Sequence, residues 1–137
     1  MNRALQNGIA LIVGLIIGSA VNMLIIHFGP SIIAPPEGVD PNDVETIKAN
    51  IHLYSPAQFM IPFLAHALGT LIGAFVAAKI AKSYKLTFAL IIAALFLVGG
   101  SMMVVLLPKT PIWFILLDLV VAYIPMGYLG YWLNTKN

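Results

Sequence analysis

Four long apolar stretches constrain this chain more than any other feature of its sequence. A helix needs about 20 apolar residues to cross the hydrocarbon core of a bilayer. Stretches of that length fall at about residues 4–28, 56–81, 86–107 and 111–133. Since lipid offers backbone groups no hydrogen-bonding partner, each stretch must be helical. We therefore predict an all-α integral membrane protein, built as a single transmembrane domain over residues 1–137.

The composition also points to the bilayer as the solvent of this chain. Hydrophobic residues make up 61% of it and charged residues only 9%, whereas soluble domains carry about 25% charged residues. The net charge is +2, and the basic residues fall near the ends of the spans, so the charge indicates membrane topology and not nucleic-acid binding. With no cysteine, the chain has no thiolate metal ligand and no thiol nucleophile.

The lysines and arginine predict how the chain is oriented. One side of the membrane would hold five basic residues, Arg3, Lys79, Lys82, Lys85 and Lys136. The other side would hold two lysines and four acids, Lys48, Lys109, Glu37, Asp40, Asp43 and Glu45. Because basic residues favour the cytoplasmic side, we predict a multi-pass protein of the cell (inner) membrane with both termini cytoplasmic.

The connections between spans predict a four-helix antiparallel bundle with one long outer loop. Spans 2 and 3, and spans 3 and 4, are joined by only a few residues, which forces antiparallel neighbours. The outer loop covers residues 29–55, and Asp40-Pro41 predicts the start of a short helix that reaches about Asn50. Its apolar residues fall on one side, which predicts an amphipathic helix on the outer membrane face or over the bundle. A solvated linker is the alternative.

Small residues at four-residue spacing predict where the helices touch. Gly14 and Gly18 lie in span 1, and Gly69 and Gly73 lie in span 2. In a membrane, small residues let two backbones approach and gain van der Waals contact. We therefore expect these glycines to form helix-packing seams, with each other or, for the span 1 pair, between two copies of the chain.

Pro125 lies well inside span 4. A proline has no backbone N–H, so the carbonyl of Val121 loses its helical donor and a kink is predicted here. Membrane helices tolerate such prolines, so the kink alone does not indicate a moving part.

Each span contributes one polar residue at nearly the same depth: Asn22, His66, Ser101 and Asp118. At 1.5 Å per residue, they lie roughly 10–15 Å below the outer helix ends. Asp118 is the only acid in any span, and an ionised acid in mid-membrane costs about 2.5–3.5 kcal/mol. His66 is the titratable residue inside a span that can partner it. We therefore predict a His66–Asp118 pair, with all four residues as candidates for binding a ligand or a proton.

Two functions remain open for such a layer. It can be a structural network that holds helix register in an accessory or scaffolding subunit of a membrane assembly. Alternatively, His66 and Asp118 form an outward-facing site in a homo-oligomeric small transporter, channel or ligand-binding protein. No metal or cofactor is predicted, because the histidines lack the number and spacing of ligands. An enzyme is not favoured either, because one acid and one histidine inside the bundle are few titratable side chains for a catalytic site. The predicted partners are the lipid bilayer and either further copies or a larger membrane-protein complex.

Overall fold

The computed structural model describes residues 1–136, and in this part of the chain every regular element is helical. The α-helices are α1 (Arg3–Phe28), α2 (Val44–Asn50), α3 (Pro56–Ile80), α4 (Lys85–Leu106), α5 (Ile112–Val121) and α6 (Ile124–Thr135). Helices α1, α3 and α4, and the pair α5–α6 taken together, are long and apolar enough to cross a membrane. The prediction of an all-helical chain with four segments suited to crossing a membrane is confirmed.

Helix α3 lies at the centre and packs against α1, α4 and α6. The closest approach is to α1, where Gly14 faces Gly73 and Gly18 faces Gly69. A Cβ atom built on Gly18 would lie 2.6 Å from the carbonyl oxygen of Gly69, so only glycine allows this backbone separation. The glycines of α1 thus pack against α3 of the same chain, which is the first of the two arrangements predicted for them.

One end of the molecule, here called the termini end, holds Met1, Lys136 and the turn at residues 81–84. At this end, polar side chains of α1 bond to the exit of α3 and to the turn. The Asn7 side chain accepts a hydrogen bond from the Lys82 backbone at 2.9 Å and donates one to Ser83 Oγ at 3.0 Å. Beside it, Gln6 Nε2 donates to the carbonyl of Ile80 at 2.9 Å. These contacts satisfy backbone groups at the exit of α3, which a helix end otherwise leaves unpaired.

Replacing Asn7 with leucine is expected to lower the free energy of unfolding by about 1 kcal/mol, because it removes the hydrogen bonds to Lys82 and Ser83 near a surface that water can reach. Thermal unfolding of the purified protein in detergent measures the change. Ser83→Ala removes only the side-chain partner and should cost less. A leucine variant as stable as the parent would contradict the role of Asn7.

The fourth span is interrupted. Helix α5 ends at Val121, and α6 begins at Ile124, with Pro125 in its first turn. Tyr123 between them has φ −116° and ψ −82°, outside the helical region. The position predicted for a kink, Pro125, thus lies just after an interruption of the helix. The reason is that proline suits the first turn of a helix, where its missing N–H has no partner to lose.

The long connection covers the opposite end of the bundle, here called the loop end. Helix α2 begins at Val44 and is capped by Asp43, whose side chain accepts from the Glu45 backbone at 3.0 Å. It therefore starts later than Asp40-Pro41 predicts, because a turn closed by side-chain hydrogen bonds precedes it. Just after α2, Ile51 is 4% exposed and packs with Phe59 of α3 and Phe114 of α5. This apolar contact seats the loop on the bundle.

Candidate functional site

A cavity of about 350 Å³ lies between the loop and the loop-end halves of α1, α3, α4 and α5. Most of its wall is aliphatic, aromatic or proline: Ile26, Pro30, Ile33, Pro35, Pro41, Val44, Ile47, Ile51, Phe59, Ile61, Pro62, Met103, Val104, Leu107, Phe114 and Ile115. Its polar residues form two groups. Tyr54, Gln58 and Thr110 lie near the loop, whereas Asn22, His66 and Asp118 lie deeper along their helices. The cavity is thus an apolar chamber with a polar floor.

The floor is centred on a histidine–carboxylate pair between α3 and α5. His66 Nδ1 lies 2.9 Å from each of the two Asp118 oxygens. Asp118 is 4% exposed, and the His66 side chain is 18% exposed. The pair links α3 to α5 through two residues that are 52 positions apart in the chain. It gives the buried acid the partner that a low-dielectric site requires.

Tyr123 is a third member of the His66–Asp118 network behind the floor, and sequence reasoning missed it. Its hydroxyl donates to Asp118 Oδ2 at 3.1 Å, and its ring stacks on the His66 ring at 5.7 Å. The side chain is 1% exposed and fits against Gly100 of α4, where any Cβ atom would meet the tyrosine hydroxyl. The available signal was a tyrosine in the middle of a span, about one turn beyond the only intramembrane acid.

Asn22 and Ser101 have different positions relative to the cavity. Asn22 is half-buried, lines the cavity and lies against Gly69 of α3. Ser101 is exposed, and its hydroxyl donates to the carbonyl of Leu97 in its own helix at 2.8 Å. The neighbouring residue Gly100 lines the cavity instead, since consecutive helical residues point about 100° apart. The structure therefore brings Asn22, His66 and Asp118 to one chamber and leaves Ser101 outside it.

Negative charge predominates around the cavity. Among the described residues that line it, none is a lysine or an arginine. Asp40, Asp43 and Glu45 are direct sequence neighbours of the lining residues Pro41 and Val44, and Lys48 and Lys109 are direct neighbours of the lining residues Ile47 and Thr110. Burial raises the pKa of Tyr54 above its ordinary value of 10.0, so this lining hydroxyl stays neutral. At and next to the wall, four acids therefore stand against two lysines, and this excess of negative charge disfavours anions.

A metal site needs more ligands than the floor provides. Within residues 1–136, no three histidine, aspartate or glutamate side chains come together, whereas zinc sites use three or four protein ligands. No family model, curated protein or solved structure matches the chain. Its function therefore has to be inferred from the chemistry of the cavity itself.

Proposed function

We propose that this chain is a small-molecule-binding membrane protein, whose cavity takes up an apolar molecule that carries one polar group. The observation that carries the proposal is the distribution of polarity in the cavity, with apolar walls and a floor of Asn22, His66 and Asp118. Ligand sites are typically apolar concave spaces with a few polar groups that orient the ligand. The apolar part would lie against the walls, and the polar group would reach the floor.

The topology that we propose is an antiparallel four-helix bundle in the cell (inner) membrane, with both termini in the cytoplasm. The contacts of Gly14 with Gly73 and of Gly18 with Gly69 support opposite directions for α1 and α3. The basic residues near the termini end support its cytoplasmic location. In this orientation the cavity lies in the outer half of the membrane, beneath the amphipathic helix α2.

Transport would require more than one chain. A four-helix chain has room for a binding chamber, but a path across the membrane would need helices from further copies or from another protein. A homo-oligomer is therefore part of the transporter or channel form of this proposal.

An accessory or scaffolding role is the second candidate, and one observation favours it. His66, Asp118 and Tyr123 satisfy one another across α3 and the break in span 4. Networks of this kind hold helices in register without binding anything else. Under this proposal the cavity would be a packing defect and the functional surface would face another membrane protein.

Filling the cavity is expected to separate the two candidates. Val104→Phe places a larger side chain in the wall, whereas Val105→Phe is a matched control, since Val105 is 79% exposed. Binding of phenylbutanol and phenylbutylamine is measured by Trp113 fluorescence in a Trp132→Phe background, because the Trp113 ring lies 5.5 Å from the ring of the lining residue Phe59. We expect Val104→Phe to weaken binding by about tenfold or more, equivalent to about 1.4 kcal/mol, and the control to leave it unchanged.

Binding that responds equally to both variants, or to neither, would contradict the proposed cavity site. The accessory role is tested by affinity purification in mild detergent from the native membrane. Recovery of a partner near one-to-one, together with cavity binding that Val104→Phe does not affect, would favour the accessory subunit.

A further inference from the structure

The charged groups at the cavity indicate the charge of the ligand that it binds. We infer that the ligand is a lipophilic cation, an apolar molecule with a protonated amine or a quaternary ammonium group; this rests on the proposed function. Asp118 is the only acid in the spanning helices, and it lies at the floor. Asp118 places a carboxyl group at the floor, and no described lining residue is a lysine or an arginine that would repel a cation there.

The Asp118 carboxylate has hydrogen-bonding capacity left for a ligand. Its two oxygens offer about four lone-pair positions. In the described chain they receive donors from His66 Nδ1 and from the Tyr123 hydroxyl. An ammonium N–H entering from the cavity would add a charge-assisted hydrogen bond, about twice as strong as a neutral one. The carbonyl oxygen of Asn22, on the same floor, is a second acceptor for such a donor.

The aromatic residues of the wall add apolar contact for the body of such a molecule. The rings of Phe59 and Phe114 lie 4.6 Å apart, and the ring of Tyr54 lies 5.5 Å from that of Phe59. All three residues line the cavity. The apolar body of the ligand would therefore lie against aromatic side chains, with its charged group reaching Asp118.

The segment above the cavity carries charge of the same sign as the floor. Residues 29–55 contain four acids and one lysine. Three of the acids, Asp40, Asp43 and Glu45, adjoin lining residues, and so does the lysine, Lys48. Such a field raises the local concentration of cations and repels anions before they reach the cavity.

A probe series that differs only in its polar group tests this inference. Phenylbutylamine, phenylbutanol and phenylbutanoate share one apolar body and are respectively cationic, neutral and anionic at neutral pH. They are titrated against the protein in nanodiscs of zwitterionic lipid, so that the lipid attracts no cation by charge, and Trp113 fluorescence in the Trp132→Phe background is followed. We expect the amine to bind about tenfold tighter than the alcohol, since its hydrogen bonds are charge-assisted, and the carboxylate not to bind.

Variants of Asp118 test whether the preference for the amine over the alcohol depends on this acid. Asp118→Asn is expected to remove most of the tenfold advantage of the amine over the alcohol, because both probes then meet a neutral side chain at the floor. Asp118→Glu retains the charge and should retain the preference, which guards against an asparagine variant that fails to fold.

The outcomes distinguish this inference from the proposed function. Suppose that the amine and the alcohol bind equally, or that the carboxylate binds more tightly, and that all binding is lost in Val104→Phe. This result would overturn the inference of a cationic ligand, but the cavity would remain the binding site. Absence of binding for all three probes, or binding that Val104→Phe does not change, would overturn both.

Discussion

The variant Gly18→Val is expected to lower the free energy of unfolding by about 2–3 kcal/mol, the upper part of the usual range for an overpacked core. Even the first added atom, the Cβ, would lie 2.6 Å from the Gly69 carbonyl oxygen and 2.9 Å from the Phe96 ring. A backbone oxygen cannot move aside unless its helix moves. The whole α1–α3 contact must therefore open to admit the valine.

Gly8→Val is the matched control for this substitution. Gly8 lies in the same helix, is exposed, and has nothing within 4 Å of the Cβ that valine would add. Its effect should stay within about 0.5 kcal/mol, as for surface substitutions in general. Both variants are compared by denaturant-induced unfolding in detergent, followed by circular dichroism. Equal losses of stability at the two positions would show that the close approach of α1 and α3 does not limit stability.

Removing the acid at the cavity floor has the second large expected effect. Asp118→Leu leaves the Tyr123 hydroxyl and His66 Nδ1 without their acceptor, and an unsatisfied buried donor costs about 1–3 kcal/mol. Average interhelical hydrogen bonds in membranes contribute less, about 0.6 kcal/mol. Since two donors lose their partner together, we expect a loss of about 2 kcal/mol in the free energy of unfolding.

A double-mutant cycle with Tyr123→Phe tests whether this loss comes from the network. Phenylalanine removes only the hydroxyl, so it should cost about 1 kcal/mol in the parent protein and close to nothing once Asp118 is leucine. Additive losses in the double variant would show that Tyr123 and Asp118 act independently. The Ser101→Ala variant provides a control, because the Ser101 hydroxyl bonds only within its own helix among the described contacts.

The parts of the structure that follow from one-dimensional patterns were accessible from the sequence. Hydropathy alone locates four segments that can cross a membrane, since no other element satisfies its backbone in lipid. The four-residue spacing of glycines indicates a close helix contact, and the structure places Gly18 against Gly69. Depth and helical direction together place His66 near Asp118, and the two lie 2.9 Å apart. Their role in binding a ligand or a proton remains a prediction.

The features that depend on local geometry were not accessible. The depth of Ser101 in the membrane does not say which side of its helix faces the cavity. Gly100, one position earlier, points about 100° away from Ser101 around the helix, and it is Gly100 that lines the cavity. Gly127 and Gly130 of α6 contact α4 and α3 closely, but they are three residues apart and do not show the four-residue spacing. The position of Tyr123 depends on the break in span 4, and a proline alone does not say whether a helix bends or stops.

The hydrogen bonds at the termini end also have a consequence for biosynthesis. Gln6 and Asn7 contact residues 74 and 76 positions later in the chain. A ribosome that has completed α1 has therefore not yet made the groups that these amides bind. Insertion of α1 into the bilayer and its docking against α3 are separate events in time, because an apolar helix can enter the membrane before it finds a neighbour. A nascent chain arrested before residue 80 lacks every partner of Gln6 and Asn7, and only a chain that includes Ser83 can complete these contacts.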